Sequence, residues 1–142
     1  VNIMAKSAIA DKMITVFGGG QYRPNIHIED ITDLYTILVE TPDKKINGKV
    51  FNVGSTNHTV LELAEMAHQE LGAVVRIDAN STDNRSYRIS SEKIKKELGY
   101  ETKRPIRQAF KDIKKAFDAG QFPNPNASMY YNVKAMKEIM AK

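Results

Sequence analysis

Cysteine is absent from all 142 residues, so disulfides, thiolate nucleophiles and cysteine-based metal sites are excluded. Histidine is scarce: His27, His58 and His68 are scattered, which argues against a zinc centre. No apolar run reaches the roughly 18–20 residues that a membrane-spanning helix needs. Residues 1–10 lack the basic stretch and apolar core of a secretory leader. These gaps together point to a soluble cytoplasmic protein with no membrane partner. The basic half also lacks the interleaved aromatics on which single-stranded nucleic acids stack, so its lysines read as solvated helix faces and nucleic acid is not an expected partner.

What is present suits a folded chain. Hydrophobic residues make up 42% and charged residues 27%, both in the globular range. A chain of this length buries roughly 70% of its unfolded surface, enough for a substantial core. Charge is unevenly spread: residues 1–84 carry 7 Lys/Arg against 11 Asp/Glu, and residues 85–142 carry 14 against 6. A basic C-terminal half attracts phosphates, and a small phosphate- or RNA-binding module is one reading of it.

The pattern alternates between helix and strand. Residues 1–11 read as the end of a helix and Met13–Phe17 as a strand. A short strand at Asn25–Ile28 leads into a helix from Glu29 to Glu40, whose Ile31, Leu34, Tyr35 and Leu38 recur at helical spacing. Asn47-Gly48 is a turn, and Val50–Val53 a strand closed by Gly54. Thr59 with Glu62 forms a capping-box pattern for a helix buried through Leu63, Ala64, Ala67 and Leu71 and stopped by Gly72. Val74–Ile77 is a further strand and Asp78–Arg85 a polar loop. Helices follow at Ser91–Leu98, capped by Ser90, after Pro105, and near Val133–Met140. His27 sits between Ile26 and Ile28 and is expected to pack or hydrogen-bond locally. The chain opens on residues that read as mid-helix, so the expectation is a portion of a longer protein.

One stretch carries most of the chemical information. From Met13 to Asp30 an apolar strand enters Gly18-Gly19-Gly20, then Gln21, then Arg23 held before Pro24. Proline biases the residue before it toward extended backbone, so the Arg23 side chain leaves a fixed stem. A guanidinium fork matches phosphate oxygens bidentately, which lysine cannot do. Two other patterns are decoys. The triple glycine is not G-x-G-x-x-G and opens no helix, so it is a turn and not a dinucleotide cradle. Tyr130-x-x-x-Lys134 matches the spacing of a dehydrogenase catalytic pair but follows a Pro/Asn loop in the tail, with no dinucleotide fold before it.

The residues Gln21, Arg23, His27 and Asp30 resemble a segment in the C-terminal half of NAD(P)-dependent nucleotide-sugar epimerases and dehydratases, the extended short-chain dehydrogenase family. Phe51-Asn52-Val53-Gly54 and the run Asn84-Arg85-Ser86-Tyr87-Arg88-Ile89-Ser90, leading to Leu98-Gly99, resemble later segments of the same family, in the same order. Two departures stand out: Pro24 replaces a commonly acidic residue, and the glycine turn is one residue shorter. The resemblance implies a mixed α/β fold, a small substrate-binding lobe plus the last elements of an incomplete Rossmann-type domain. It implies a nucleotide-sugar substrate whose diphosphate is held by Arg23 and Arg85, with Gln21 as a further contact and Arg88 as a competitor for Arg85's role. It implies that NAD(P) is bound by an N-terminal domain outside these 142 residues, that no catalytic residue lies within them, and that the intact enzyme is an epimerase, dehydratase or reductase, often a homodimer.

Overall fold

The computed structural model describes residues 1–78 and 85–141. Helix α1 (Asn2–Ala10) leads into strand β1 (Met13–Phe17), and strand β2 (Tyr22–Pro24) follows the glycine turn. Helices α2 (Ile28–Glu40) and α3 (Asp43–Ile46) precede strand β3 (Asn57–Thr59), helix α4 (Val60–Leu71) and strand β4 (Val74–Asp78). Helices α5 (Glu92–Leu98), α6 (Ile106–Asp118) and α7 (Asn132–Met140) complete the order, with a 3-10 turn at Ser128–Tyr130. No helix among the described residues is long and apolar enough to cross a membrane.

Two small sheets organise the chain. β1 and β4 are parallel, Met13 opposite Val74 and Phe17 opposite Asp78. Parallel partners need a long crossover, and here β2, α2, α3, β3 and α4 lie between them. Alternation along β1 buries Ile14 and Val16, which face helices α1, α4 and α6. Ala5 and Ala8 of α1 meet Leu63, Ala64 and Ala67 of α4, and α6 adds Ile106 and Phe110. The small residues let three helices share one side of a two-stranded sheet. A second cluster lies under α2, where Leu34 packs with Ile94 of α5 and with Tyr100, flanked by Phe51, Val53 and Leu98.

Local signals explain the best-defined ends. Thr59 Oγ1 accepts from the Glu62 N–H at 3.1 Å while Glu62 Oε2 accepts from the Thr59 N–H at 2.7 Å. This reciprocal box satisfies two donors that a helix start otherwise leaves orphaned, and such a cap contributes about 1 kcal/mol. α5 starts one residue later than expected, at Glu92 with Ser91 as its N-cap, although Ser90 Oγ accepts from the Glu92 N–H at 3.3 Å.

Three sequence expectations shift. The strand placed at Asn25–Ile28 lies instead at Tyr22–Pro24, because His27 caps α2 and ends the extended run. The turn segment after Pro42 contains the short helix α3. No strand forms at Val50–Val53; Phe51 and Val53 are pulled into the second cluster while Val50 stays exposed. The partner of β2 is β3, antiparallel, with Arg23 opposite His58. Most of the polar loop at Asp78–Arg85 (residues 79–84) lies outside the described residues.

Candidate functional site

The glycine turn positions everything that follows it. Gly18 and Gly19 have φ of 73° and 115°, a region side-chain-bearing residues rarely adopt. Gln21 clasps this turn: its Oε1 accepts from the Gly19 N–H at 2.7 Å and its Nε2 donates to the Phe17 carbonyl at 2.7 Å. The start of α4 is tied to the same place, with the Leu61 N–H donating to the Gly19 carbonyl at 3.0 Å. A Cβ added at Gly19 would lie 3.3 Å from both Leu61 Cβ and Val16 Cγ1. The turn is therefore packed closely at Gly19.

Beyond the turn, β2 carries Arg23. Its Nη1 donates to the Tyr22 carbonyl at 2.9 Å and also to the carbonyl of Arg85. Its guanidinium carbon lies 5.9 Å from the centre of the Tyr87 ring, within cation–π range. Two arginines separated by 62 positions are thus brought side by side.

The segment from Arg85 to Ser91 runs along β2 without being a strand itself. The Tyr22 N–H donates to Ser86 Oγ at 3.0 Å, and the Tyr87 N–H donates to the Tyr22 carbonyl at 3.4 Å. Asn57 then takes both backbone groups of Ile89: its Nδ2 donates to the Ile89 carbonyl at 2.9 Å, and its Oδ1 accepts from the Ile89 N–H at 3.0 Å. Ser91 Oγ makes the same double contact with the backbone of Gly54, both at 3.0 Å. Gly54 lies so close that a Cβ there would meet Ile89 Cδ1 at 2.7 Å. Arg88, which the sequence offered as a competitor for Arg85's role, stacks on Tyr22, its guanidinium carbon 3.6 Å from the ring centre.

A second polar assembly was not visible in the sequence. His27, 2% exposed, accepts from the Glu29 N–H through Nδ1, which leaves the proton on Nε2 to donate to Asp112 at 3.1 Å. Local hydrogen bonding is the role expected of it. Asp30 is 1% exposed, and its carboxylate accepts from the Lys103 N–H at 3.2 Å and the Arg104 N–H at 3.1 Å. The Arg104 side chain closes the assembly, reaching Asp30 and Asp33 at 2.8 Å and Glu29 at 2.6 Å. Tyr100 donates its hydroxyl to the Asp30 carbonyl. No local pattern points from Arg104 to acids more than 70 positions away; its place before Pro105 is the only hint. A groove of about 650 Å³ opens beside it, lined by residues that include Ser55, Ser91, Lys95 and Arg104, but Lys95 is already paired with Glu101 at 3.0 Å.

These contacts set the pH response. The hydrogen bond from Arg104 holds the Asp33 carboxyl below its usual range. Burial, and then the Asp30 and Asp33 charges, push the Tyr100 hydroxyl above its own. A carboxyl with a depressed folded pKa adds stability above its unfolded pKa and loses it as pH falls through the folded value. A tyrosine with a raised pKa adds stability below its unfolded pKa and loses it as pH rises through the folded one. Melting temperature should therefore fall on both sides, below the ordinary carboxylate range and above the ordinary tyrosine range. Thermal melts of Asp33→Asn and Tyr100→Phe test this: each variant should flatten its own limb, and an unchanged profile would refute the assignment.

Tyr130 and Lys134 do not form a pair in the fold. Tyr130 packs edge-on against Phe122 with ring centres 5.5 Å apart, and Lys134 Nζ lies 4.4 Å over the ring of Tyr131. Among the described residues no cluster of three acids or histidines is arranged to hold a metal ion.

With this geometry established, known proteins provide a comparison. No family model matches the chain, and no curated protein sequence matches it. Solved structures do. A UDP-glucose 4-epimerase from Thermotoga maritima, solved with UDP-glucose, is 21% identical with a TM-score of 0.67 over 84% of this chain and 39% of its own. A dTDP-glucose 4,6-dehydratase from Bacillus anthracis, in complex with NAD, is 22% identical with a TM-score of 0.63 over 82% of this chain and 38% of its own. An L-threonine dehydrogenase from Phytophthora infestans is 12% identical with a TM-score of 0.68 over 82% and 40%. The chain thus spans about two-fifths of the structures it matches. At these identities the likeness is one of fold, and the threonine enzyme shows that this fold alone does not select a substrate. The chain therefore has a mixed α/β fold that it shares with about two-fifths of these epimerase, dehydratase and dehydrogenase structures.

Proposed function

We propose that this chain is the nucleotide-sugar-binding portion of an NAD(P)-dependent sugar-nucleotide epimerase or dehydratase. Arg23 and Arg85 hold the diphosphate from two sides, and Gln21 fixes the turn from which Arg23 departs. One observation carries this reading: the Tyr22 N–H and carbonyl meet Ser86 Oγ and the Tyr87 N–H, so the backbones that bear Arg23 and Arg85, far apart in sequence, lie side by side. Paired guanidiniums suit a diphosphate, whose charge is spread over two phosphoryl groups. In this reading, hydride transfer belongs to a cofactor domain of the intact enzyme outside these residues.

The rival reading, a basic module for RNA, is disfavoured by how the C-terminal cations are used. Arg107 and Lys111 both reach Glu70, Lys114 pairs with Asp118 at 2.6 Å, and Arg104 is spent on α2. Titration calorimetry with UDP, with pyrophosphate and with a short RNA separates the two. Arg23→Ala should weaken UDP and pyrophosphate by about thirtyfold, a loss of about 2 kcal/mol of charged hydrogen bonding. Arg23→Lys should recover only part of it, because an ammonium cannot make the fork. Arg85→Ala keeps the carbonyl that Arg23 uses and so reports on the side chain alone. Unchanged UDP affinity in the double alanine variant would overturn the proposal. RNA binding that outcompetes UDP and falls steeply with salt would restore the rival.

A further inference from the structure

We infer that the chain pairs with a second copy of itself, α7 of each copy lying antiparallel along α2 of the other. Two exposed apolar stripes point to this. α2 buries Leu34, yet Ile28, Tyr35 and Val39 on its outer side are each at least 62% exposed. With Thr32 they recur at i, i+4, i+7 and i+11, one line along a helix face. α7 repeats the arrangement, with Val133, Met136 and Met140 on one side and each at least 53% exposed. Single exposed apolar residues are ordinary, whereas a contiguous stripe marks an interaction surface. α7 has a further need. Its nine residues pack mainly on the 3-10 turn before it and, among the described residues, enter neither core cluster. An isolated helix shorter than about 12 residues is marginal in water, so α7 needs a covering partner.

Charge selects that partner. α2 carries Glu29, Asp30, Asp33 and Glu40 and no basic residue, whereas α7 carries Lys134 and Lys137 against Glu138. At about 100° per residue, Glu29 and Glu40 flank the α2 stripe on its clockwise side, viewed from the helix N-terminus. Lys134 and Lys137 flank the α7 stripe on its clockwise side in the same view. Two facing helices bring flanks of the same hand together only when they run antiparallel, an arrangement that also opposes their dipoles. Glu29 is engaged by Arg104, which leaves Glu40, at the end of α2, to meet Lys134 at the start of α7. Within one chain both stripes stay exposed, so α2 and α7 of one copy do not cover each other. A second copy supplies both missing partners at once, the self-complementary contact of a closed two-fold dimer.

Sedimentation equilibrium on the whole chain should give a mass near twice 16.0 kDa. Val39→Asp and Met136→Asp should each sediment as monomers, with thermal melts showing that the fold persists, since both positions are exposed in the single chain. Mixed in equal amounts, the two variants should associate again, because the intact α2 of one meets the intact α7 of the other. Lys134→Glu should raise the dimer dissociation constant about tenfold, two symmetry-related sites contributing, and Glu40→Lys on the same chain should recover most of that loss. A monomeric wild type overturns the inference. So does dissociation by Met136→Asp but not by Val39→Asp, which would mean that α7 pairs with α7, and so does a mixture that stays monomeric.

Discussion

Asp30→Ala should lower the free energy of unfolding by about 3 kcal/mol, a large share of the stability of an ordinary domain. The carboxylate lies fully inside the protein and accepts from two backbone amides and a guanidinium. Removing it strips the Lys103 and Arg104 amides of their acceptor, and an unsatisfied buried amide costs about 1–3 kcal/mol. Asp30→Asn keeps the shape and one acceptor oxygen, so it should lose less. The more exposed neighbour Asp33 should matter far less when truncated at neutral pH, because exposed ion pairs contribute little. Urea denaturation of the three variants gives the answer. A loss under about 1 kcal/mol for Asp30→Ala would mean that the 100–105 segment is held by Tyr100 packing instead of by the carboxylate.

Phe110→Ala should cost about 4 kcal/mol, the upper range for emptying a core aromatic site. Phe110 is completely buried where α6 meets α1, α4 and the sheet. Five alanines, Ala5, Ala8, Ala64, Ala67 and Ala73, line the same cluster. Alanines have no flexible ends with which to fill a void, so the cavity should persist. Phe110→Leu retains most of the volume and should cost under about 2 kcal/mol. Equal losses for the two variants would show that ring shape, not volume, sets the packing here. Denaturant midpoints with unchanged slopes are the readout to require.

Legibility in the sequence followed the range of the interactions. The α4 start was readable because Thr59 and Glu62 satisfy each other three residues apart. The strand at Met13–Phe17 and the Ile31, Leu34 and Leu38 stripe of α2 were readable for the same reason, since their periodicity is local, though Tyr35 of that stripe stays exposed. Strand β2 was misplaced because its partner β3 begins 33 positions after Pro24 and nothing nearby announces the pairing. The Val50–Val53 stretch looked like a strand from its apolar content, yet burial in a cluster satisfied it without a ladder. Arg23 and Arg85 were picked out through family resemblance, not spacing, and their neighbourhood emerges only in three dimensions. The part of Gln21 in closing the glycine turn was not readable from the sequence. Asn57 and Arg104 were missed because each acts across 32 positions or more.

The pegging of residues 85–91 by Ser86, Asn57 and Ser91 has a consequence for how such a fold can diversify. A strand woven into a sheet inherits its position from main-chain geometry and tolerates almost any side chain. This segment is sewn on by three polar side chains, and the residues between the stitches (Arg85, Tyr87 and Arg88) are left to vary independently. Selection can therefore exchange the side chains between the stitches one codon at a time without disturbing the sheet. The corresponding liability is that a single lost stitch, such as Asn57→Ala, loosens the whole segment at once.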